Sequence, residues 1–267
     1  ARSAEATSGQ RITRAKSKIK AARIPYRVPS AEDLPGRVFG VLAVIFLVFN
    51  EGYLASGPNT DPVRADLTAE AIRLARLLRE LLPEDGEVAG LLALMLLTEA
   101  RRAARVAESG ELVTLAEQHR GAWDKALIAE GLRLVRERVA TGQPPGRYQV
   151  LAAINAVHTS ARDVRDTDWS QIVALYDQLV RLDPSPVVAL NRAVAVAEVS
   201  GPGVALAIVD RLQSELANYH AYFATRADIL RRLGRNEEAR AAYARAIALA
   251  GNTAEGVYLT RRRDQLG

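Results

Sequence analysis

The sequence contains no cysteine in its 267 residues. Disulfides and thiolate metal sites are therefore excluded, and a reducing, cytoplasmic setting is the natural expectation. Histidine occurs three times, at positions 119, 158 and 220. Imidazoles so far apart in sequence lack ligand spacing, so no metal and no other cofactor is expected. Aromatic residues make up only 5% of the chain while hydrophobic residues reach 49%. Few aromatics with abundant Ala, Leu and Arg favour helices over strands and allow a sizeable core. Long apolar runs are also missing. The best, residues 38–49, is apolar apart from Gly40, and as a helix it rises about 18 Å against about 30 Å for a bilayer core. It lies too far inside the chain, without a small-residue cleavage site, for a signal peptide. It reads as a buried, central core helix, with no membrane partner.

Acidic residues are nearly absent from the first 29 positions, where Glu5 faces eight Lys and Arg, a net charge of +7. The rest of the chain holds 28 bases and 30 acids, a net of −2. All of the excess positive charge is thus a leading basic segment on a near-neutral body, placed where a polyanion would bind. On a 3.6-residue period Ile12, Ala15, Ile19 and Ala22 form a narrow apolar stripe. Arg11, Arg14 and Lys18 flank it on one side, and Lys16, Lys20 and Arg23 on the other. Such a helix can rest on protein and direct two rows of cations to phosphates, or it can be a solvated terminal helix. Pro25, Pro29 and Pro35 then forbid a continuous helix, and residues 25–35 read as a semi-rigid tether on which Tyr26 and Val28 pack against a neighbour.

From residue 36 to 267 helical patterns alternate with short breaks. Asp33, before Leu34 and Pro35, suits the N-cap region of a helix carrying Val38, Leu42, Ile45, Phe46 and Phe49, which ends near Asn50-Glu51-Gly52-Tyr53. Glu51 reads either as a polar hub or as part of a helix C-terminus whose Gly52 supplies the terminating conformation. Helices are expected over 66–82, after the break at 83–86 through Met95, and within 169–184, with Arg101, Arg102 and Arg105 as a solvated run. Spacings of i, i+4 and i+7 then point to tetratricopeptide (TPR) repeats. They appear as Ala71, Ala75 and Leu78; Ile172, Tyr176 and Leu179; Ala205, Val209 and Leu212; and most strongly Ala239, Tyr243 and Ala246, with Phe223, Ala227 and Leu230 on the preceding helix. Between 109 and 143 the pattern loosens, and Ile128, Leu132 and Val135 keep a packing face. The predicted fold is all-α: antiparallel helix pairs stacked into a curved array, with residues 255–266 as a polar terminal cap, preceded by the short basic helix.

The densest polar-aromatic run is Gln118-His119-Arg120-Gly121-Ala122-Trp123-Asp124-Lys125. Trp123 and Leu127 are expected to pack, with Asp124 and Lys125 capping or pairing. An acid–base pair of His119 with Asp124 or Glu130 lacks any accompanying nucleophile or phosphate-cradling loop. His158, followed by Asp163, Asp166 and Asp168, and His220, beside Tyr219 and Tyr222, read as structural. No catalytic constellation emerges, and the chain is read as a non-enzyme.

Thr7-Ser8-Gly9-Gln10-Arg11-Ile12-Thr13-Arg14-Ala15-Lys16 resembles the recognition helix that closes region 4 of extracytoplasmic-function (ECF) sigma factors of RNA polymerase, typically Thr-Val-Lys-Ser-Arg-Leu-Ser-Arg-Ala-Arg. Thr7, Arg11, Arg14 and Ala15 match outright, Ile12, Thr13 and Lys16 conservatively, and Gly9 departs from a usual basic residue. The Pro-Tyr-Arg-Val-Pro tether at 25–29, the Phe-Asn-Glu-Gly-Tyr of 49–53 and the stretch 118–131 resemble a subgroup with a long helical C-terminal extension. The resemblance implies that residues 1–24 end a helix-turn-helix domain reading the promoter −35 element. Thr7, Gln10, Arg11, Arg14, Lys16 and Lys18 would carry DNA contacts, Gln10 and Arg11 at base edges, and Arg14 and Lys18 at phosphates. It implies RNA polymerase core as partner, and an extension that regulates by contacting its own sigma regions 2 and 4, polymerase or a further partner. Asn50, Glu51, Tyr53, Trp123 and Asp124 mark its interaction or structural motifs. A free-standing TPR-type adaptor is the alternative.

Overall fold

The computed structural model describes residues 32–55, Gly57, 63–107 and 111–266. The basic segment with Thr7, Gln10, Arg11, Arg14, Lys16 and Lys18, together with Tyr26 and Val28, lies outside the described residues. The chain divides into two compact units, Ala1–Val41 and Leu42–Gly267, with the boundary inside the first helix. The described residues contain eleven α-helices and no strand.

α1 spans Leu34–Tyr53, its first turn closed by Arg37 N–H donating to Asp33 C=O at 3.2 Å. Val38, Leu42, Ile45 and Phe49 form a buried stripe along it. Phe39, Val44 and Leu47 on other faces are 65%, 60% and 67% exposed, so α1 is not the central helix its composition suggested. It is also longer than its apolar run. The window Gly36–Tyr53, with a mean hydropathy of 1.4, is long and apolar enough by length and composition to cross a membrane. The sequence-based length argument, confined to 38–49, does not hold for the whole helix.

α2 (Ala65–Leu81) buries Thr68, Ala71, Ile72 and Ala75, one face at i, i+3, i+4 and i+7. The central helix is α3 (Gly86–Glu99), in which every residue from Val88 to Leu97 is buried. Its start is fixed by Asp85, whose carboxylate accepts from the N–H groups of Glu87 and Val88 at 2.8 and 3.0 Å. α4 (Lys125–Ala140) and α5 (Arg147–Ser160) both pack on α3. α5 has no side-chain cap of its own. Glu87 of α3 supplies one, accepting from Tyr148 and Gln149 N–H at 3.1 and 3.2 Å, where a negative charge also favours the helix N-terminus. On α4 the buried residues are Gly131 and Leu134. Ile128, Leu132 and Val135, the expected packing face, are only half-buried, because α4 packs through its glycine, whose Cα faces Leu97 closely.

The remaining helices are α6 (Trp169–Leu182), α7 (Pro186–Val199), α8 (Pro202–Asp210), α9 (His220–Arg232), α10 (Asn236–Leu249) and α11 (Thr253–Asp264). Asp168 and Ser185 cap α6 and α7, and Pro186 and Pro202 occupy the first helical positions, where their missing N–H costs nothing. The strongest TPR expectation, α9 with α10, is met. Ala239, Tyr243, Ala246, Ala227 and Leu230 are all buried, and Gly234, at φ +72°, ends α9 while Arg235 N–H reaches back to Leu230 C=O at 3.0 Å. From α2 onward helices adjacent in the chain pack on each other, and α3 also packs on α5 and α7 on α9. The fold is all-α and TPR-like.

Gly52 does not end α1 through a left-handed conformation, because it lies within the helix and its φ is not positive. It is needed for close approach. A Cβ there would lie 2.7 Å from Thr68 N and 2.8 Å from Arg64 O, where Arg64 N–H donates to Gly52 C=O at 2.8 Å. Both clashing atoms are backbone and cannot rotate away. Gly52→Ala should therefore cost about 1–3 kcal/mol. Gly256→Ala, in α11 with nothing within 4 Å of the new methyl, should stabilise by up to about 1 kcal/mol through helix propensity. Urea unfolding midpoints of the two variants check the opposite signs.

Candidate functional site

Between α3 and α4 the chain makes an excursion from Ala100 to Asp124. Its ends meet, because Asp124 N–H donates to Ala100 C=O at 2.8 Å. In between, Val106 pairs antiparallel with Leu112, and short 3-10 turns form at Arg102–Ala104 and Arg120–Ala122. This crossing segment holds three of the six buried polar or charged residues among those described, Arg101, Arg105 and Gln118, and its contacts fall on odd-numbered helices.

Arg120 anchors one end. Its Nη1 donates to His158 C=O at 2.6 Å and Ala161 C=O at 2.9 Å, two carbonyls at the C-terminus of α5. A cation there satisfies acceptors the helix leaves open and opposes its dipole favourably. The guanidinium also lies 4.6 Å from the ring centroid of Trp123, which is buried as expected. Asp124 is the N-cap of α4, accepting from Ala126 and Leu127 N–H at 2.8 and 3.0 Å. It is therefore not a partner for His119. Glu130 is bound by Arg76 at 2.6 Å, and His119 is exposed, so the acid–base pair does not form.

Arg101 and Arg105, read as solvated from composition, are instead 8% and 7% exposed, and of the three arginines Arg102 alone faces solvent. Arg102 pairs with Glu99 at 2.8 Å, whose carboxyl is pushed up by burial. Arg101 Nη2 donates to Asn155 Oδ1 on α5 at 3.0 Å. Arg105 donates through Nη1 to Tyr53 C=O and lies 3.3 Å from the centroid of the Tyr53 ring, which stacks on Phe49. Among the described residues neither guanidinium has a salt bridge. Arg101 Nε, Arg120 Nη2 and Trp123 Nε1 are buried donors without an acceptor among the described residues.

His158 lies beside this cluster, edge-on to Trp169 at 5.2 Å. Burial first, then the charges of Arg101 and Arg120, holds it down to about 4. His220 on α9 shifts the other way, because its Nε2 meets Glu255 Oε1 of α11 at 3.1 Å. Asp163 and Asp168 cap the 3-10 turn before α6 and α6 itself, and Asp166 closes the capping box of that turn. No group of three or more metal-ligating side chains occurs among the described residues.

The structure thus joins Tyr53 and Trp123 in one buried arginine–aromatic region. Asn50 and Glu51 remain exposed at the end of α1, where Asn50 contributes its C=O to Leu54 N–H at 2.9 Å. Sequence reasoning missed Arg101, Arg105, Asn155 and Glu87 as site-forming groups. The available signal was the placement of Arg101 and Arg105, four apart, directly after the fully apolar α3.

His158 gives a pH prediction. A histidine whose folded value lies below its unfolded value leaves the native state with fewer bound protons between about 6.5 and about 4. The contribution is complete above that window and is lost as pH falls through it, by on the order of 3 kcal/mol. His220, raised by Glu255, contributes below its unfolded value and fades as pH rises. Imidazole NMR titration should show His158 unprotonated until well below pH 6. Urea unfolding of His158→Gln should lose part of the acid sensitivity between pH 6.5 and 4.

The comparisons with known proteins cover this region. A model of a family of unknown function, DUF6596, matches residues 37–140, from α1 through the crossing segment to the end of α4. An uncharacterized protein of Rhizobium meliloti (strain 1021) is 47% identical over 263 residues, which make up 98% of this chain and 62% of the relative. The chain therefore spans less than two thirds of the curated relative it matches. A crystal structure of a thermophilic TPR protein from Thermus thermophilus superposes with a TM-score of 0.55 at 18% identity, covering 84% of this chain and 96% of that one. What this chain shares with the Thermus protein is its fold, an all-α array of TPR-like helix pairs.

Proposed function

We propose that this chain is the C-terminal part of an ECF-type sigma factor, in which residues 1–24 end the domain that reads the promoter −35 element and the helical array regulates the sigma regions. The observation that carries the proposal is the sequence of 7–29. Thr7, Arg11, Arg14 and Ala15 stand at recognition-helix spacing within a segment of net charge +7, followed by the proline tether. Gln10 and Arg11 contact base edges in this reading, and Arg14, Lys16 and Lys18 contact phosphates. RNA polymerase core and promoter DNA are the partners, transcription initiation in the cytoplasm is the process, and no catalytic step belongs to the chain. Sigma regions 2 and 4 of the same protein are the targets of the array.

The alternative, a free-standing TPR-type adaptor, rests on fold alone. Such arrays present an extended binding surface along one layer of helices. Here α1 and α5 are contacted by the chain's own crossing segment through Arg101, Arg105 and Arg120. That arrangement favours a domain working within its own protein over one that captures extended peptides.

In the full-length protein, Arg11→Glu with Arg14→Glu should abolish −35 binding in a gel-shift assay, since each reversal replaces a phosphate or base contact with repulsion. Unchanged binding would remove the recognition-helix assignment. Deleting everything after Pro29 should alter promoter-dependent transcription by reconstituted polymerase. Unaltered output and unaltered regulation would remove the role given to the array.

A further inference from the structure

The crossing segment leaves a cleft of about 290 Å³ between itself and helices α9 and α11, near the lower end of small-molecule sites, at roughly 300 Å³. Arg105, Leu112, Val113 and Thr114 form one wall. The opposite wall comes from α9, with His220, Ala221, Ala224 and Thr225, and from α11, with Glu255, Tyr258 and Leu259. The lining is apolar over most of its area, with hydroxyls from Thr114, Thr225 and Tyr258 and three groups that can carry charge near neutral pH, Arg105, His220 and Glu255.

The charges of that lining do not cancel evenly. Glu255 is committed, with His220 Nε2 on one oxygen at 3.1 Å and Asn252 Nδ2 on the other at 3.1 Å. The nearest cation outside the cleft on α11, Arg261, is held by Glu111 at 2.9 Å. Among the described residues neither Arg105 nor Arg101 behind it makes a salt bridge, and the charges of Glu255 and Glu99 reach Arg105 without a direct contact. Two buried guanidiniums without a counter-ion cost several kcal/mol in desolvation. A cation–π contact and a carbonyl hydrogen bond offset only part of this. Arg105 is the one of the pair that lines open space. From that position a guanidinium can grip an oxyanion in the cleft through charge-assisted hydrogen bonds.

We propose that this cleft binds a small organic anion, its acidic group on Arg105 and its apolar body against Leu112, Val113, Ala221 and Ala224. The volume suits a carboxylate or phosphate on a short hydrocarbon or a single ring. Because one wall belongs to the crossing segment and the other to α9 and α11, the bound anion ties the segment to the C-terminal helices. The inference is independent of the sigma-factor reading, since it concerns only groups within 105–259.

The test is a titration of the ¹⁵N-labelled 267-residue chain, followed by amide shifts, with three probes at up to 10 mM: octanoate, phenyl phosphate and neutral 1-phenylethanol. Saturable shifts confined to 112–114, 221–225 and 255–259 with octanoate or phenyl phosphate, and none with the alcohol, are expected. Which anion binds more tightly separates a carboxylate ligand from a phosphate ligand. Arg105→Gln should weaken binding at least tenfold. Ala224→Phe, which fills the cleft from the opposite wall and leaves Arg105 in place, should abolish it, so that a failure of Arg105→Gln to fold does not leave the question open. No saturable shift with either anion, equal binding of the alcohol, or undiminished binding by a folded Ala224→Phe chain overturns the proposal.

Discussion

The complete burial of α3 is the constraint on which the other features rest. Ten successive buried residues leave no side of the helix for polar groups, so polar chemistry is displaced to its two ends. At the N-terminal end Asp85 caps α3, and Glu87 caps α5 across the helix interface. At the C-terminal end the chain leaves α3 through Arg101 and Arg105, long side chains whose apolar stems can stay buried while their heads find carbonyls, an amide and a ring. Gly90 and Gly131 set the spacing, since each lies where a neighbouring helix approaches too closely for a methyl group.

The excursion that follows ties this end of α3 to α1, α5 and α11. Arg120 closes the C-terminus of α5, Trp123 fills the space beneath it, and Asp124 both returns the backbone to Ala100 and starts α4. Each is a local solution to an open helix end or an unfilled pocket. Together they hold a segment with little regular structure against helices that are distant in sequence. His158, neutral beside two guanidiniums, fits the same electrostatic logic, because a further buried positive charge at that point has nothing to balance it.

Much of the fold was legible because TPR-type helices carry their packing face in a fixed spacing. Ala239, Tyr243 and Ala246 could be placed from that spacing alone, as could Ala71, Ala75 and Leu179. Spacing says which side of a helix is buried but not how completely. Two apolar runs, 38–49 and 88–97, looked alike, and only their neighbours decide that the second is covered all round while the first exposes Phe39 and Leu47. Charge misled in the same way. Arg101 and Arg105 read as solvent-facing because arginine usually is, and their burial depends on Tyr53 and Asn155, partners about fifty residues away. Gly52 was marked as special, but for a backbone angle when the true reason is the approach of residues 64–68. The residues given to DNA lie outside the described part, and their assignment rests on sequence.

Stacked helix pairs ordinarily touch only their immediate neighbours, and their stability is then close to a sum over units that can open one at a time. This chain departs from that rule. Glu111 and Arg261 join residues 150 positions apart, and Gly57 N–H donates to Gly251 C=O at 3.2 Å, linking the turn after α1 to the turn before α11. Such contacts raise the mean sequence separation of the fold and make opening at one end dependent on the other. The last helix is thereby coupled to the first, and residues 42–266 open more as one cooperative unit than as a row of separable repeats.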